Sequence, residues 1–211
     1  MQYLSQRLAS KPAPKRGRDP SRVALPAPQR ERILDAVERL VAANGFAGTS
    51  IEAIVKAAGV SSVTFYDFFE GKEASFVAAF ERAVEAAAGE IEDATAELSW
   101  PEQVSTGLRT VLAAVAAEPS RARLCLVEAQ TGGPLLGARF EAALDRVAAK
   151  LREGRALDTA PPGLPATHEE AIAGGLAWMI REQLERDGGE GVESLYPQLV
   201  DVALAPYLGD G

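Results

Sequence analysis

The sequence predicts an all-α protein of about nine helices. Apolar residues recur at helical spacing from Pro28 almost to the end, and no segment sustains an alternation of period two. The ends of these periodic runs carry helix punctuation: glycines after them, prolines and Ser/Thr-x-x-Glu strings before them. With 211 residues, 47% of them hydrophobic and 25% charged, the chain can bury a globular core without staples.

The elements follow in order. Residues 1–27 contain Pro12, Pro14, Pro20 and Pro26 with almost no periodicity, and read as a basic flexible arm. A first helix opens at Pro28 with Ile33, Leu34, Val37, Leu40 and Val41 on one face. It is expected to end at Asn44-Gly45, with Gly45 in a left-handed cap and Phe46 folding back. Thr49 and Glu52 have capping-box spacing and open a short helix through Ile51, Ile54, Val55 and Ala58, stopped by Gly59. Ser61 caps a third, very short helix whose Phe65, with Phe69, is expected to face the first two. A long helix runs from Lys72 to about Leu98, carrying Phe76, Phe80, Val84 and Ile91.

Helical texture continues beyond Trp100-Pro101. Val104, Leu108, Val111, Leu112 and Val115 mark one helix, ended before Pro119. Ala122 to Gln130 mark the next, broken by Gly132-Gly133-Pro134. Leu135 to about Gly154 form another, with Leu144, Val147 and Leu151. Residues 156–166 are a loop. Thr167 and Glu170 repeat the capping-box signal before a helix bearing Ile172, Leu176, Met179, Ile180 and Leu184. A glycine-rich turn at 187–191 leads to a last helix ending near Leu208.

Charge is placed unevenly. The chain has a net charge of −8, yet residues 1–32 sum to +6 and the rest to −14. A basic head on an acidic body suits a polyanion met by one end of the molecule; a merely solubilising leader is the other reading. One cysteine, Cys125, and one histidine, His168, exclude an intrachain disulfide and a Cys/His zinc site, and leave a catalytic triad without a motif. No phosphate-binding glycine loop, dinucleotide pattern or metal-ligand cluster is present, so no catalytic residue, cofactor or metal is expected. No apolar run reaches the roughly 18–20 residues that span a bilayer, and residues 1–22 lack a signal-peptide core. A cytoplasmic protein without membrane contact is the expectation.

The most informative stretch is residues 30–76. Thr49–Ala58, the turn Ala58-Gly59-Val60-Ser61 and Ser62–Asp67 have the spacing of a helix-turn-helix, with Gly59 suited to positive φ and Val60 to burial. The string ILDAVERLVAANGFAGTSIEAIVKAAGVSSVTFYDFFEGKEASFVAAF resembles the N-terminal DNA-binding domain of the TetR family of bacterial transcription regulators. Gly45-Phe46, Thr49-Ser50, Ile51-x-x-Ile54, Ala58-Gly59-Val60-Ser61, Thr64-Phe65-Tyr66-x-x-Phe69 and Lys72-Glu73 carry the likeness. The resemblance implies a homodimer with one recognition helix per subunit. It also implies a helix-turn-helix domain over 28–74 and a helical ligand-binding and dimerisation domain over 75–211. The function implied is ligand-responsive regulation of transcription at double-stranded operator DNA, with repression relieved by an unidentified small molecule. A helical adaptor dimer that has lost operator binding is the alternative.

Roles follow for individual residues. Thr49 and Ser50, like Ser61 and Ser62, stand at helix N-termini, whose free N–H groups suit phosphate. Tyr66 resembles the family tyrosine that bonds a phosphate while its ring packs inside, and Lys72 resembles the family lysine on the DNA backbone. Base reading falls to Ser62, Val63, Thr64 and Asp67: hydroxyls, methyls for thymine, and a carboxylate for a cytosine amine. Lys15, Arg16 and Arg18 of the arm would add affinity through counterion release. By the resemblance, the last two helices form the dimer interface, with Ile172, Gly175, Leu176, Met179, Leu195, Leu199 and Val202 in contact. In the alanine-rich body, Trp100, Arg109, Cys125, Glu128, Phe140 and Trp178 stand out as candidate ligand contacts, though core packing or solvation explains each as well. The apolar setting favours a mostly apolar effector.

Overall fold

The structure, a computed structural model, describes residues 27–208. Lys15, Arg16 and Arg18 lie outside them. Among the described residues there are nine α-helices and no strand: α1 (Ala27–Gly48), α2 (Ile51–Ala58), α3 (Ser62–Phe68), α4 (Lys72–Thr95), α5 (Trp100–Ala117), α6 (Pro119–Leu126), α7 (Pro134–Arg152), α8 (His168–Asp187) and α9 (Tyr196–Leu208). Short 3-10 turns follow α6 and α7 and precede α9. The expected all-α class is thus the observed one.

Three ends differ from expectation. Gly45 has positive φ (69°) but extended ψ (174°), so it breaks α1 without a left-handed cap, and one more turn, Phe46–Gly48, follows. That break claims the Thr49 hydroxyl, which donates to the Gly45 carbonyl at 2.8 Å. Thr49 is therefore buried, and the cap of α2 passes to Ser50, whose Oγ accepts from Ala53 N at 3.1 Å. Thr167 likewise makes no side-chain cap on α8: its ψ of 13° departs from the extended backbone of a cap, and Glu170 pairs with Arg152. A capping box does form at Ser99, whose N–H donates to Glu102 at 2.9 Å and starts α5.

Two apolar clusters organise the chain. In the first, Ile33, Leu34, Val37, Ile54, Phe65 and Phe76 are fully withdrawn from water, and Leu124, Ala129 and Leu136 complete it from α6 to α7. The second joins α5, α8 and α9 through Leu112, Leu184, Leu199 and Tyr207. One charged group lies inside it. The buried Glu169 carboxylate accepts two hydrogen bonds from Arg155, at 2.7 Å each, and one from the Tyr207 hydroxyl at 2.9 Å. Arg155 also donates to the Leu164 and Pro165 carbonyls, so this cluster ties the 156–166 loop to both terminal helices. The Arg155 hydrogen bonds hold the Glu169 carboxyl down at about 2.

Candidate nucleic-acid interface and sensor cavity

An eight-residue and a seven-residue helix cannot hold themselves together in water. Here the turn between them does much of the fixing. Gly59 adopts the left-handed conformation (φ 62°, ψ 40°), and its N–H and that of Val60 close back on Lys56 and Val55. Ser61 then caps α3, accepting from Thr64 N at 3.0 Å. Phe65 roots α3 in the core, with Phe69 beside it at a centroid distance of 5.6 Å. The opposite face is open: Ser62, Val63, Tyr66 and Asp67 are exposed, Val63 at 68% and Tyr66 at 57% of their full surface. Val63 and Tyr66, three residues apart, share this open face of α3.

Several predicted site residues take other positions. Thr49 points inward, so its side chain cannot meet a phosphate. The Tyr66 ring does not pack inside; only its edge rests on Phe65, 5.4 Å between centroids. Lys72 is turned onto its own protein, donating to the Phe46 carbonyl at 2.8 Å and lying 4.1 Å from the Phe46 ring centre. Ser50, Ser61 and Ser62 stand exposed at the two helix starts, and Thr64 is half-buried. On the core side of α3, Arg30 of α1 lies 5.9 Å from the Phe69 ring centre.

The joint between head and body is polar and specific. Arg82 of α4 reaches Glu31, Asp35 and Glu38 of α1 at 2.6–2.9 Å, and Arg121 of α6 pairs with Glu38 at 3.3 Å. Glu128, next to α6, accepts from Phe46 N at 2.8 Å, just where α1 breaks. Glu73 of α4 accepts from Leu135 N at 2.9 Å and so caps α7.

Beside that joint, α4 to α8 enclose a cavity of about 520 Å³, within the ordinary range for small-molecule sites. Phe80, Leu108, Val111, Leu126 and Leu176 give it an apolar wall. Of the candidate ligand contacts, Cys125 and Phe140 line it. Burial pushes the Cys125 thiol up to about 12, so it serves there as a small apolar group. The other four candidates are placed elsewhere. Trp100 donates to the Lys150 carbonyl and packs against Tyr207. Arg109 lies over the Tyr196 ring, Glu128 holds the head, and Trp178 points outward from α8.

The dimer residues divide in a similar way. Ile172, Leu176 and Leu199 are buried in the chain's own second cluster, and Met179 and Leu195 pack against it half-buried. Gly175 and Val202 remain at the surface, with Trp178 and Leu208 near them in sequence on the same two helices.

A short exposed helix on a buried base, set by a glycine turn and a serine cap, defines a helix-turn-helix protein. Residues 33–79 match the family model for bacterial regulatory proteins of the tetR family. Solved structures share the whole architecture. The fatty acid degradation regulator FadR from Bacillus halodurans is 20% identical, with a TM-score of 0.75 over 86% of this chain and 97% of its own. FadR from Bacillus subtilis, solved in complex with stearoyl-CoA, is 19% identical, with a TM-score of 0.74 over 83% of this chain and 98% of its own. A TetR-like transcriptional regulator from Rhodococcus sp. RHA1 is 22% identical, with a TM-score of 0.66 over 89% and 100%. Among curated proteins no significant match is found.

Proposed function

We propose that the chain is a homodimeric transcriptional repressor that leaves its operator when a small, mostly apolar molecule fills the cavity. The observation that carries this reading is continuity: one short segment serves both cavity and head. Cys125 and Leu126 line the cavity, and two residues on Glu128 holds the Phe46 amide. A ligand that displaces the end of α6 therefore acts on the joint that orients α2 and α3. Two recognition helices must sit about 34–36 Å apart to enter successive major grooves, so a small tilt suffices to lose DNA.

In this reading residues 28–74 are the DNA-binding domain and 75–211 the sensor and dimerisation domain. Ser50, Ser61, Ser62 and Tyr66 meet phosphates, and Val63, Thr64 and Asp67 face base edges. Lys72 acts on DNA indirectly, by fixing Phe46, and the arm residues Lys15, Arg16 and Arg18 add salt-dependent affinity. The dimer forms through the outer face of α8 and α9, with Gly175, Trp178, Val202 and Leu208. The stearoyl-CoA bound by the Bacillus subtilis relative supports an effector with an aliphatic part. The protein works at bacterial DNA in the cytoplasm and catalyses no reaction; no helix among the described residues is long and apolar enough to cross a membrane.

The test is fluorescence anisotropy of the full chain on its own upstream DNA over a salt series. Specific, salt-dependent binding with a two-fold symmetric footprint is expected, and Tyr66→Phe combined with Lys72→Ala should weaken it sharply while the protein stays folded. Equal, weak binding to every duplex, unchanged in that variant, would overturn the reading in favour of the adaptor.

A further inference from the structure

The cavity has an inside and an outside that differ in chemistry. Deep within it, Ala173, Leu176 and Ile180 of α8 are buried and apolar. The polar donors on its wall are already committed to backbone: Thr95 Oγ1 donates to the Ile91 carbonyl at 2.7 Å, and Gln103 Nε2 to the Leu98 carbonyl at 2.8 Å. The buried thiol of Cys125 is held neutral. A charged group pushed to this depth would lose its hydration with no partner to replace it.

The charged side chains of the lining are Glu92 on α4 and Arg146 and Lys150 on α7. Arg146 and Lys150 are four residues apart, on one face of α7, with the exposed Val147 of the lining between them. Each is paired with a carboxylate that stands further out in water. Arg146 reaches Glu85 at 2.7 Å, their side chains 55% and 69% exposed; Lys150 reaches Glu153 at 2.7 Å, at 42% and 56%. Such exposed pairs contribute little stability and exchange readily for another anion. The aliphatic stems of both cations line the cavity while their heads reach water.

We infer that this is a site for an unbranched aliphatic anion: the chain lies along Phe80, Phe140 and Leu176, and the head, carboxylate or phosphate, sits at the mouth on Arg146 and Lys150. The inference rests on the sensor reading above and adds to it the polarity of the ligand and the residues that anchor it. A bound head draws Arg146 off Glu85, and so releases this α7–α4 ion pair only when an anion is present. That makes the anion, rather than the hydrocarbon alone, the signal.

Isothermal titration of the full chain with palmitate, palmitoyl-CoA and 1-hexadecanol tests it. The two anions are expected to bind one per chain, and the neutral alcohol more weakly. In Arg146→Ala/Lys150→Ala, the anions should lose roughly ten- to hundredfold in affinity, with the alcohol unchanged. Binding of palmitoyl-CoA alone would assign the head to phosphate; equal binding of both would assign it to a single carboxylate-sized charge. Anion binding that the double variant leaves intact would overturn the anchoring site while the sensor reading stands. Failure of all three compounds, with operator binding intact, would overturn the ligand class and leave the regulator. The single variant Lys150→Gln, which keeps most of the aliphatic stem, keeps the test informative should the double variant fold poorly.

Discussion

Glu169→Gln isolates the buried carboxylate and its worth. The carboxylate is removed from water, takes two bonds from Arg155 and one from Tyr207, and titrates at about 2 instead of the ordinary 4.5. A carboxyl lowered on folding stabilises the native state above its unfolded pKa, and that stability is lost as pH falls through the folded value. The shift corresponds to at most about 3 kcal/mol, complete above pH ~5 and fading towards pH ~2. For a chain of this size that is a Tm difference of roughly 6–12 °C. In Glu169→Gln the Arg155 guanidinium keeps the Leu164 and Pro165 carbonyls and is not stranded. The assay is thermal unfolding of both proteins at equal concentration between pH 2.5 and 7. Every other carboxyl titrates alike in both, so the gap between them should be widest at pH 7 and narrow steadily with acid. A gap that stays constant with pH would refute the argument, since the loss would then be one of shape and not of charge.

Trp178→Glu should shift the protein from dimer to monomer in sedimentation without lowering its helix content, because Trp178 faces outward; an unchanged dimer would place the interface elsewhere. Cys125 should resist thiol reagents at neutral pH until the protein is unfolded in denaturant, since burial keeps the thiol protonated. Gly59→Ala should cost about 1–2 kcal/mol in chemical denaturation from its positive φ alone, since a methyl group there meets nothing within 4 Å. Gly133→Ala should cost more: φ is +108°, and the added methyl carbon would lie 2.5 Å from Glu73 Oε1, the group that caps α7.

Local chemistry was legible in the sequence wherever one residue type answers one need. Gly59 and Ser61 fix the turn and the α3 start, and Phe65 and Phe69 are apolar at positions only a core can satisfy. Thr49 and Ser50 show the limit. Both can cap a helix, and the Glu52 spacing favoured Thr49, but the break at Gly45 consumed its hydroxyl; that depends on ψ of a glycine, which no spacing encodes. The cavity was obscured for a different reason. Residues with conspicuous chemistry, Trp100, Arg109, Glu128 and Trp178, stood out because they are rare, whereas the cavity is walled by alanine, valine and leucine that look like any core. The dimer stripe has the same limit: periodicity shows that Ile172, Leu176 and Leu199 are buried, but not whether their own chain or a second one covers them.

The first apolar cluster has a consequence for engineering. Leu124, Ala129 and Leu136 belong to the same buried cluster as Ile33, Ile54 and Phe65, although they follow α5 in the chain. A head cut at residue 74 and grafted to a foreign sensor would arrive with the α6-facing side of α1 uncovered. Chimeras that keep operator specificity while exchanging the signal should therefore be spliced by surface, carrying the inward residues of α6 and the start of α7 with the head. Recombination at a point in the sequence, however well it matches the motif boundary, divides one folding unit in two.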